Sequence, residues 1–303
     1  GGTSVEITGT NLSDIASVTF GGTAATNFTI NSSTKITATT PAGAAGAVNV
    51  VVLMGGTNDT ALRIVGGGSV FYNARKTTAS TLETSFGPDG KLYVPFGAPC
   101  NICEPPETNG QLRRINLDGT GAEVVVRGVR NSVGFDWHPV TKELYFTDNG
   151  RDWLSEDLPN DELNRVTKQG QHFGFPYWNG KYKVAGSPAA PELKDMKEPK
   201  STFPQVEFPA HQAQLGMSFY TGKSFPKKYQ GGIFVASHGS WNRTVPSGYL
   251  VNFVPVNADG TAGKAEVFAE GFIDTATKRA IGRPVDVQMM KDLGFEVLQR
   301  TAV

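Results

Sequence analysis

Cysteine is nearly absent, with 2 in 303 residues, too few for a disulfide scaffold. Long apolar runs are missing as well. The longest, Val48 to Met54, is interrupted by Asn49 and falls far short of the roughly 20 residues that cross a bilayer as a helix. Charge is scarce and balanced. Charged residues make up 18% of the chain, against about 25% in ordinary domains, and 28 basic side chains cancel 28 acidic ones. No large uniform field draws this chain onto nucleic acid or an anionic membrane, which argues against phosphate-backbone binding. The chain opens Gly1-Gly2-Thr3 inside a strand-like pattern, without an initiator Met, basic n-region or apolar h-region. A targeting segment is therefore expected to have been removed or to lie outside this fragment.

Glycine (36) and proline (18) are abundant, the composition of many tight turns rather than long helices. The length allows two domains at roughly 100–200 residues each. Residues 1–66 hold no Trp, Tyr, Cys or His. Within them Thr3–Thr8, Ser17–Phe20, Lys35–Thr39 and Val48–Val52 alternate with period two or are β-branched, and Gly21-Gly22 and Pro41-Ala42-Gly43 separate them. A small β-sandwich is the expectation. Val65-Gly66-Gly67-Gly68-Ser69 reads as a flexible linker. All 4 Trp and all 8 Tyr follow it. Strand-like segments then recur behind the turns Gly87-Pro88-Asp89-Gly90, His138–Lys142 and Lys228–Gly232. Tyr93 lies 52 residues before Tyr145, which lies 89 before Phe234, close to one and two units of about 40–50 residues, the length of a propeller blade. Residues 67–303 are read as propeller-like, against an unrelated all-β sandwich with Asp-Gly hairpins. Proline-rich residues 181–215 break the rhythm, either as a lid or as a solvated insertion.

The spacing Gly9-Thr10-Asn11-Leu12, Val18-Thr19-Phe20-Gly21-Gly22 and Ile36–Gly43 resembles the IPT/TIG immunoglobulin-like family, which implies an N-terminally clipped sandwich over residues 1–66. A denser signal runs through Arg130–Pro139, Thr147–Asp152, Asp161–Val166 and Gly170–Tyr177, then Leu215–Tyr220, Ser237-His238-Gly239-Ser240-Trp241-Asn242-Arg243 and Gly282-Arg283-Pro284-Val285. These motifs are similar to the soluble PQQ-dependent glucose/sorbosone dehydrogenase family over roughly residues 80–290. His-Gly-Ser-Trp-Asn-Arg and Asp-Asn-Gly-Arg-Asp point to its sorbosone/pyranose branch. The resemblance implies an all-β chain with a six-bladed β-propeller binding pyrroloquinoline quinone (PQQ) and calcium. It also implies a sugar substrate and a quinone or cytochrome electron acceptor. Guanidinium forks pair bidentately with carboxylates, and PQQ carries three. Arg130, Arg243 and Arg283 are thus the candidate clamps, with Asn131, His211 and His238 beside them. Calcium takes oxygen donors, and the resemblance assigns it the carbonyls of Gly150 and Arg151. His138 is expected in surface structure and His172 in the core.

Two departures accompany the resemblance. The family's general base is a His about ten residues ahead of the Gly-Pro-Asp-Gly turn, where residues 75–86 hold none and Glu83 stands out of register. Residues 67–303 also make fewer than six blades, which leads to the expectation of a truncated or frame-disrupted product whose ring is incomplete. Cys100-Asn101-Ile102-Cys103 precedes Glu104-Pro105-Pro106, unsuited to a thioredoxin-like helix, and lacks further zinc ligands. By resemblance it forms a local disulfide, with two free thiols as the alternative, and an oxidised pair supports a periplasmic or extracellular location. Two other functions stay open: a non-catalytic carbohydrate-binding or adhesive surface protein, and a calcium-dependent propeller lactonase.

Overall fold

The computed structural model describes residues 1–8, 12–13, 15–20, 23–43, 50–54, 62–65, 85–184, 193, 197–290 and 294–300. The linker at 66–69, Glu83, most of the His-less segment 75–86, and much of 185–196 lie outside them. The chain divides into two units, residues 1–79 with 115–122, and 80–114 with 123–303.

Among the described residues, seven strands build the first unit: β1 (Ser4–Thr8), β2 (Ile15–Phe20), β3 (Thr23–Ala24), β4 (Asn27–Ser32), β5 (Lys35–Thr39), β6 (Val50–Met54) and β7 (Leu62–Val65). They form two antiparallel sheets of order β1-β5-β4 and β3-β2-β6-β7. Alternation sends Ile36 and Ala38 of β5 inward, where they meet Val18, Phe20 and Val52 of the other sheet. Two sheets sharing one apolar layer are what the period-two pattern requires.

The second unit repeats one motif. Sheet one holds β8 (Ser85–Phe86), β9 (Leu92–Phe96), β10 (Gln111–Ile115) and β11 (Glu123–Arg127). Sheet two begins with β12 (Phe135–Trp137), β13 (Leu144–Asp148) and β14 (Asp161–Val166). Next come β15 (Gln171–His172), added parallel to β11, and the hairpin β16 (Trp178–Asn179) with β17 (Tyr182–Lys183). β18 (Val206–Phe208) returns as the fourth strand of sheet two. Residues 181–215 therefore do more than interrupt the rhythm, because their last part completes a sheet. Sheet three is β19 (Gln214–Phe219), β20 (Ile233–Ser237), β21 (Leu250–Val254) and β22 (Glu266–Ala269). Two further pairs follow, β23 (Ile273–Asp274) with β24 (Arg279–Ala280), and β25 (Arg283–Met290) with β26 (Gly294–Arg300).

Side-chain alternation explains why the sheets stack. In β13, Leu144 and Phe146 face the core shared with Tyr93, Leu112 and Val126 of sheet one, while Tyr145 faces Phe219, Val235 and Val254 of sheet three. β20 behaves alike. Ile233 and Val235 pack toward sheet two, and Phe234 and Ala236 toward a layer that includes Val287 of β25. A strand buried on both faces reads as a continuous apolar run, as Ile233–Ser237 does. His138, expected at the surface, is instead buried against Phe219, its ring nitrogen accepting from the amides of Val140 and Thr141.

The inner strands come close where side chains are absent. A Cβ on Gly134 would lie 2.7 Å from the Gly216 Cα, and one on Gly216 would lie 2.6 Å from the Asp286 Cα. Glycine at both positions lets three successive backbones approach. Gly134→Ala is expected to destabilise the second unit by about 1–3 kcal/mol through overpacking. All four Trp lie in that unit, so urea unfolding followed by tryptophan emission reads it alone; an unchanged midpoint would count against this close approach.

Candidate functional site

Strands in these sheets run antiparallel, so every second connection lies at the same end. The connections after β9, β11, β13, β18, β20 and β24 form this set, and the sequence candidates all fall on them or on the first residue of the strand that follows. Cys100–Cys103 also lies there, and is a disulfide.

Asp148 and Asp161 hold the loops in place. Buried Asp148 accepts from the amides of Arg130 at 2.9 Å and Asn131 at 2.7 Å, and from the Ser132 hydroxyl at 3.2 Å. One oxygen of buried Asp161 takes the Gly150 amide at 3.0 Å, and the other takes the Ala213 amide at 2.8 Å. Burial raises both carboxyls from their ordinary range against the amide donors that favour the ionised form, Asp161 to about 7. Glu162, paired across the ladder with Asp148, is raised by burial and by the Asp148 charge, and accepts from Asn164 Nδ2 at 2.8 Å and the Gly180 amide at 2.5 Å.

Arg130 reaches across two loops. Its Nη1 donates to the Gly150 carbonyl at 2.7 Å, and its Nη2 to Asp152 at 3.0 Å and to Asn101 Oδ1 at 2.9 Å. Asn101 is placed by the disulfide turn, and its Oδ1 also accepts from the Asp152 amide at 2.8 Å. The 149–160 loop then meets His211, whose Nε2 donates to the Ser155 carbonyl at 2.7 Å. It also meets Arg243, which donates to the Glu156 carbonyl and to Asp157 at 2.9 Å. His238 donates through Nδ1 to the Pro284 carbonyl at 3.2 Å. Arg283 donates to the Tyr249 hydroxyl at 3.0 Å and stacks 5.1 Å over the same ring. Six of the eight candidates, Arg130, Asn131, Gly150, His211, Arg243 and Arg151, thus lie on loops in direct contact. Arg151 is buried there. His238 and Arg283 join through Ser240, whose carbonyl accepts from Arg283 at 3.4 Å, and through the Ala213 carbonyl, which takes the His238 amide at 3.0 Å.

Asp148, Asp161 and Asn101 are not among the sequence candidates, although Asp148 and Asp161 lie in the motifs that carry the resemblance. The available signal is Asp161-Glu162, two acidic residues on consecutive strand positions where a half-buried strand would alternate. Asn149 Oδ1 is a buried acceptor with no hydrogen-bond partner among the described residues, an orphan that calls for an N–H donor or a cation. Among the described residues no group of three or more His, Cys, Asp or Glu side chains could hold a metal, and no helix is long and apolar enough to cross a membrane.

Because the folded-state pKa of Asp161 lies above its unfolded value, the native state binds the extra proton between about pH 4 and 7. Stability should therefore fall as pH rises through that window and level off above it. The shift from 3.8 to about 7 corresponds to about 4 kcal/mol at 1.36 kcal/mol per unit. Asp161→Ala strands two buried amides and should destabilise the second unit most at pH 4, with the loss shrinking by pH 8. Urea midpoints at both values check this; an equal loss at each would show that Asp161 stays ionised throughout.

A family model described as TrAA12-like matches residues 108–281, and one described as IPT/TIG domain matches residues 1–74. An uncharacterized protein of Borreliella burgdorferi is 43% identical over 204 residues, covering 66% of this chain and 52% of the relative. The chain thus spans about half the length of the curated relative it matches. Among solved structures, the calcium structure of the Trichoderma reesei family AA12 carbohydrate-active enzyme superposes with a TM-score of 0.64 at 18% identity, over 99% of this chain and 94% of that one. The holo PQQ domain of Coprinopsis cinerea pyranose dehydrogenase gives 0.57 at 17%, over 83% and 74%. At such identities the likeness is one of fold. The chain belongs to the TrAA12-like family and carries an IPT/TIG domain at its N-terminus.

Proposed function

We propose that this chain is a sugar oxidoreductase that holds PQQ and calcium among the loops described above. The observation that carries the reading is that Arg130 and Arg243, from two separate connections, meet the loop that bears Gly150 and the orphaned Asn149 Oδ1, while Arg283 meets Ser240 on the connection that carries Arg243. The donor set fits the group. Arginines suit a tricarboxylate, and a neutral amide oxygen beside a backbone carbonyl suits calcium. The Gly150 carbonyl accepts from Arg130 and would offer its second lone pair to a cation; the Arg151 carbonyl is the second proposed donor. Asn131, His211 and His238 would flank the quinone. Bound there, it would supply the hydride acceptor for oxidation of a sugar alcohol carbon, with calcium as Lewis acid.

The finer proposals follow the same line. Three stacked sheets, each with a four-stranded antiparallel meander or its equivalent, support reading residues 67–303 as part of a six-bladed propeller, behind an IPT/TIG-like sandwich at 1–66. A quinone or cytochrome would take the electrons. The Cys100–Cys103 disulfide supports export to an oxidising compartment, periplasmic or extracellular. One observation favours a second reading, a non-catalytic carbohydrate-binding protein: residues 75–86 contain no His, so the proton acceptor that the resemblance implies is missing.

Titration of the full chain with PQQ and Ca²⁺, followed by aldoses and an artificial dye, separates the two. Saturable PQQ binding with sugar-dependent dye reduction is expected. Arg283→Met and Arg243→Met should each weaken PQQ binding tenfold or more, about 1.4 kcal/mol. Tight binding without dye reduction would favour the second reading, and no binding would overturn both uses of the cofactor.

A further inference from the structure

Trp153 and Trp241 are the two most exposed Trp among the described residues, 66% and 64% accessible, and they pack on each other edge to face with centroids 5.2 Å apart. No other Phe, Tyr or Trp among the described residues is as exposed as these two indoles, Phe86 following at 52%. Trp153 also has φ +61°, a left-handed conformation that is costly for a bulky side chain and is held only where its surroundings impose it.

Their place in the chain ties them to the arginine loops. Trp153 follows Asp152, which pairs with Arg130, and lies two residues before Ser155, whose carbonyl binds His211. Trp241 lies between Ser240, whose carbonyl accepts from Arg283, and Arg243. From the structure we infer that this indole pair is a subsite for a neutral pyranose ring, so that the substrate is an oligosaccharide whose next sugar rests there. The inference builds on the sugar oxidoreductase reading of the adjoining loops.

Three features select that occupant. Two indoles about two-thirds exposed offer on the order of 300 Å² of apolar face, enough for one or two sugar rings and well below the ~800 Å² per partner of a stable protein interface. The neighbouring side chains are hydrogen-bonding ones, Asp152, Glu156, Asp157, Arg243 and Thr244, which suit hydroxyl groups around a C–H face and do not suit a lipid surface. Asp152 and Asp157 are offset by Arg130 and Arg243, so neither sign of charge dominates beside the indoles, which favours a neutral sugar.

Saturation-transfer NMR on the full chain without PQQ, using cello-, xylo- and maltotetraose beside glucose and xylose, reads binding without relying on the indoles' own emission. At least one tetraose should bind, with glucose and xylose at least tenfold weaker. Trp153→Ala and Trp241→Ala should each weaken the tetraose tenfold or more and leave circular dichroism and PQQ affinity unchanged. The proposal is overturned if no tetraose binds, or if the double variant binds it as the parent does. It is equally overturned if the pair instead drives concentration-dependent self-association that the double variant loses. Tetraose binding in a chain that fails to take PQQ would leave this subsite standing and remove the oxidoreductase reading; PQQ binding without tetraose binding would do the reverse.

Discussion

Each carboxylate of Asp148 and Asp161 takes two backbone amides out of a region that water does not reach, and the geometry at that end of the sheets depends on them. The amides belong to Arg130, Asn131, Gly150 and Ala213, on three separate connections. Stacking creates the need. When sheets two and three are covered on both faces, the chain ends that leave them carry N–H groups with no ladder partner, and an unpaired buried amide costs about 1–3 kcal/mol. With two acceptor oxygens, Asp161 meets that need at two loops at once and Asp148 at two successive amides of one loop. The acids lose solvation in return, which is why burial raises both.

From those anchors the side chains extend outward in a ladder. Asp148 fixes the backbone of Arg130, so its guanidinium can span to Gly150 and Asp152, and the disulfide turn supplies Asn101 as a second support. Asp161 fixes Gly150 on one side and Ala213 on the other, two residues from His211. The loop between them then closes on His211 and Arg243 through its own carbonyls. Arginine dominates here because one planar fork serves several carbonyls and a carboxylate together.

Much of this was legible in the sequence. Tyr93, Tyr145 and Phe234, matched only by spacing, occupy the same place in sheets one, two and three, strands β9, β13 and β20, because the middle of each of these strands is buried on both faces and is apolar. The alternating β-branched segments of residues 1–66 gave strands and two sheets because each strand buries one face against the other sheet. Other features were hidden by the physics that makes them. β18 sits at the end of a proline-rich run with only three paired residues. The turns Asn116-Leu117-Asp118-Gly119-Thr120 and Asn257-Ala258-Asp259-Gly260-Thr261 carry the same Asp-to-Thr and Asn-to-Thr hydrogen bonds ahead of β11 and β22. They are an internal repeat that spacing of aromatics alone did not reveal. The candidate arginines were visible as residue types, but which carbonyl each would meet depends on loops distant in sequence.

Those meetings also rank the arginines. Asp157, the partner of Arg243, has a side chain 86% exposed, and an ion pair with so wet a partner is worth little, so an incoming carboxylate replaces it at small cost. Among the described residues Arg283 meets the Ser240 carbonyl and the Tyr249 hydroxyl and ring but no carboxylate, which leaves its charge uncompensated. Arg130 differs. Its guanidinium is committed to Gly150, Asn101 and Asp152, with Asp152 only 31% exposed, and withdrawing it would unpair acceptors on two loops. On the proposed reading, then, Arg243 and Arg283 grip an anionic cofactor, while Arg130 serves first as the strut that keeps Gly150 in place. Similar arginine-bearing motifs in the sequence thus play different parts, and the difference follows from what each guanidinium must give up to bind.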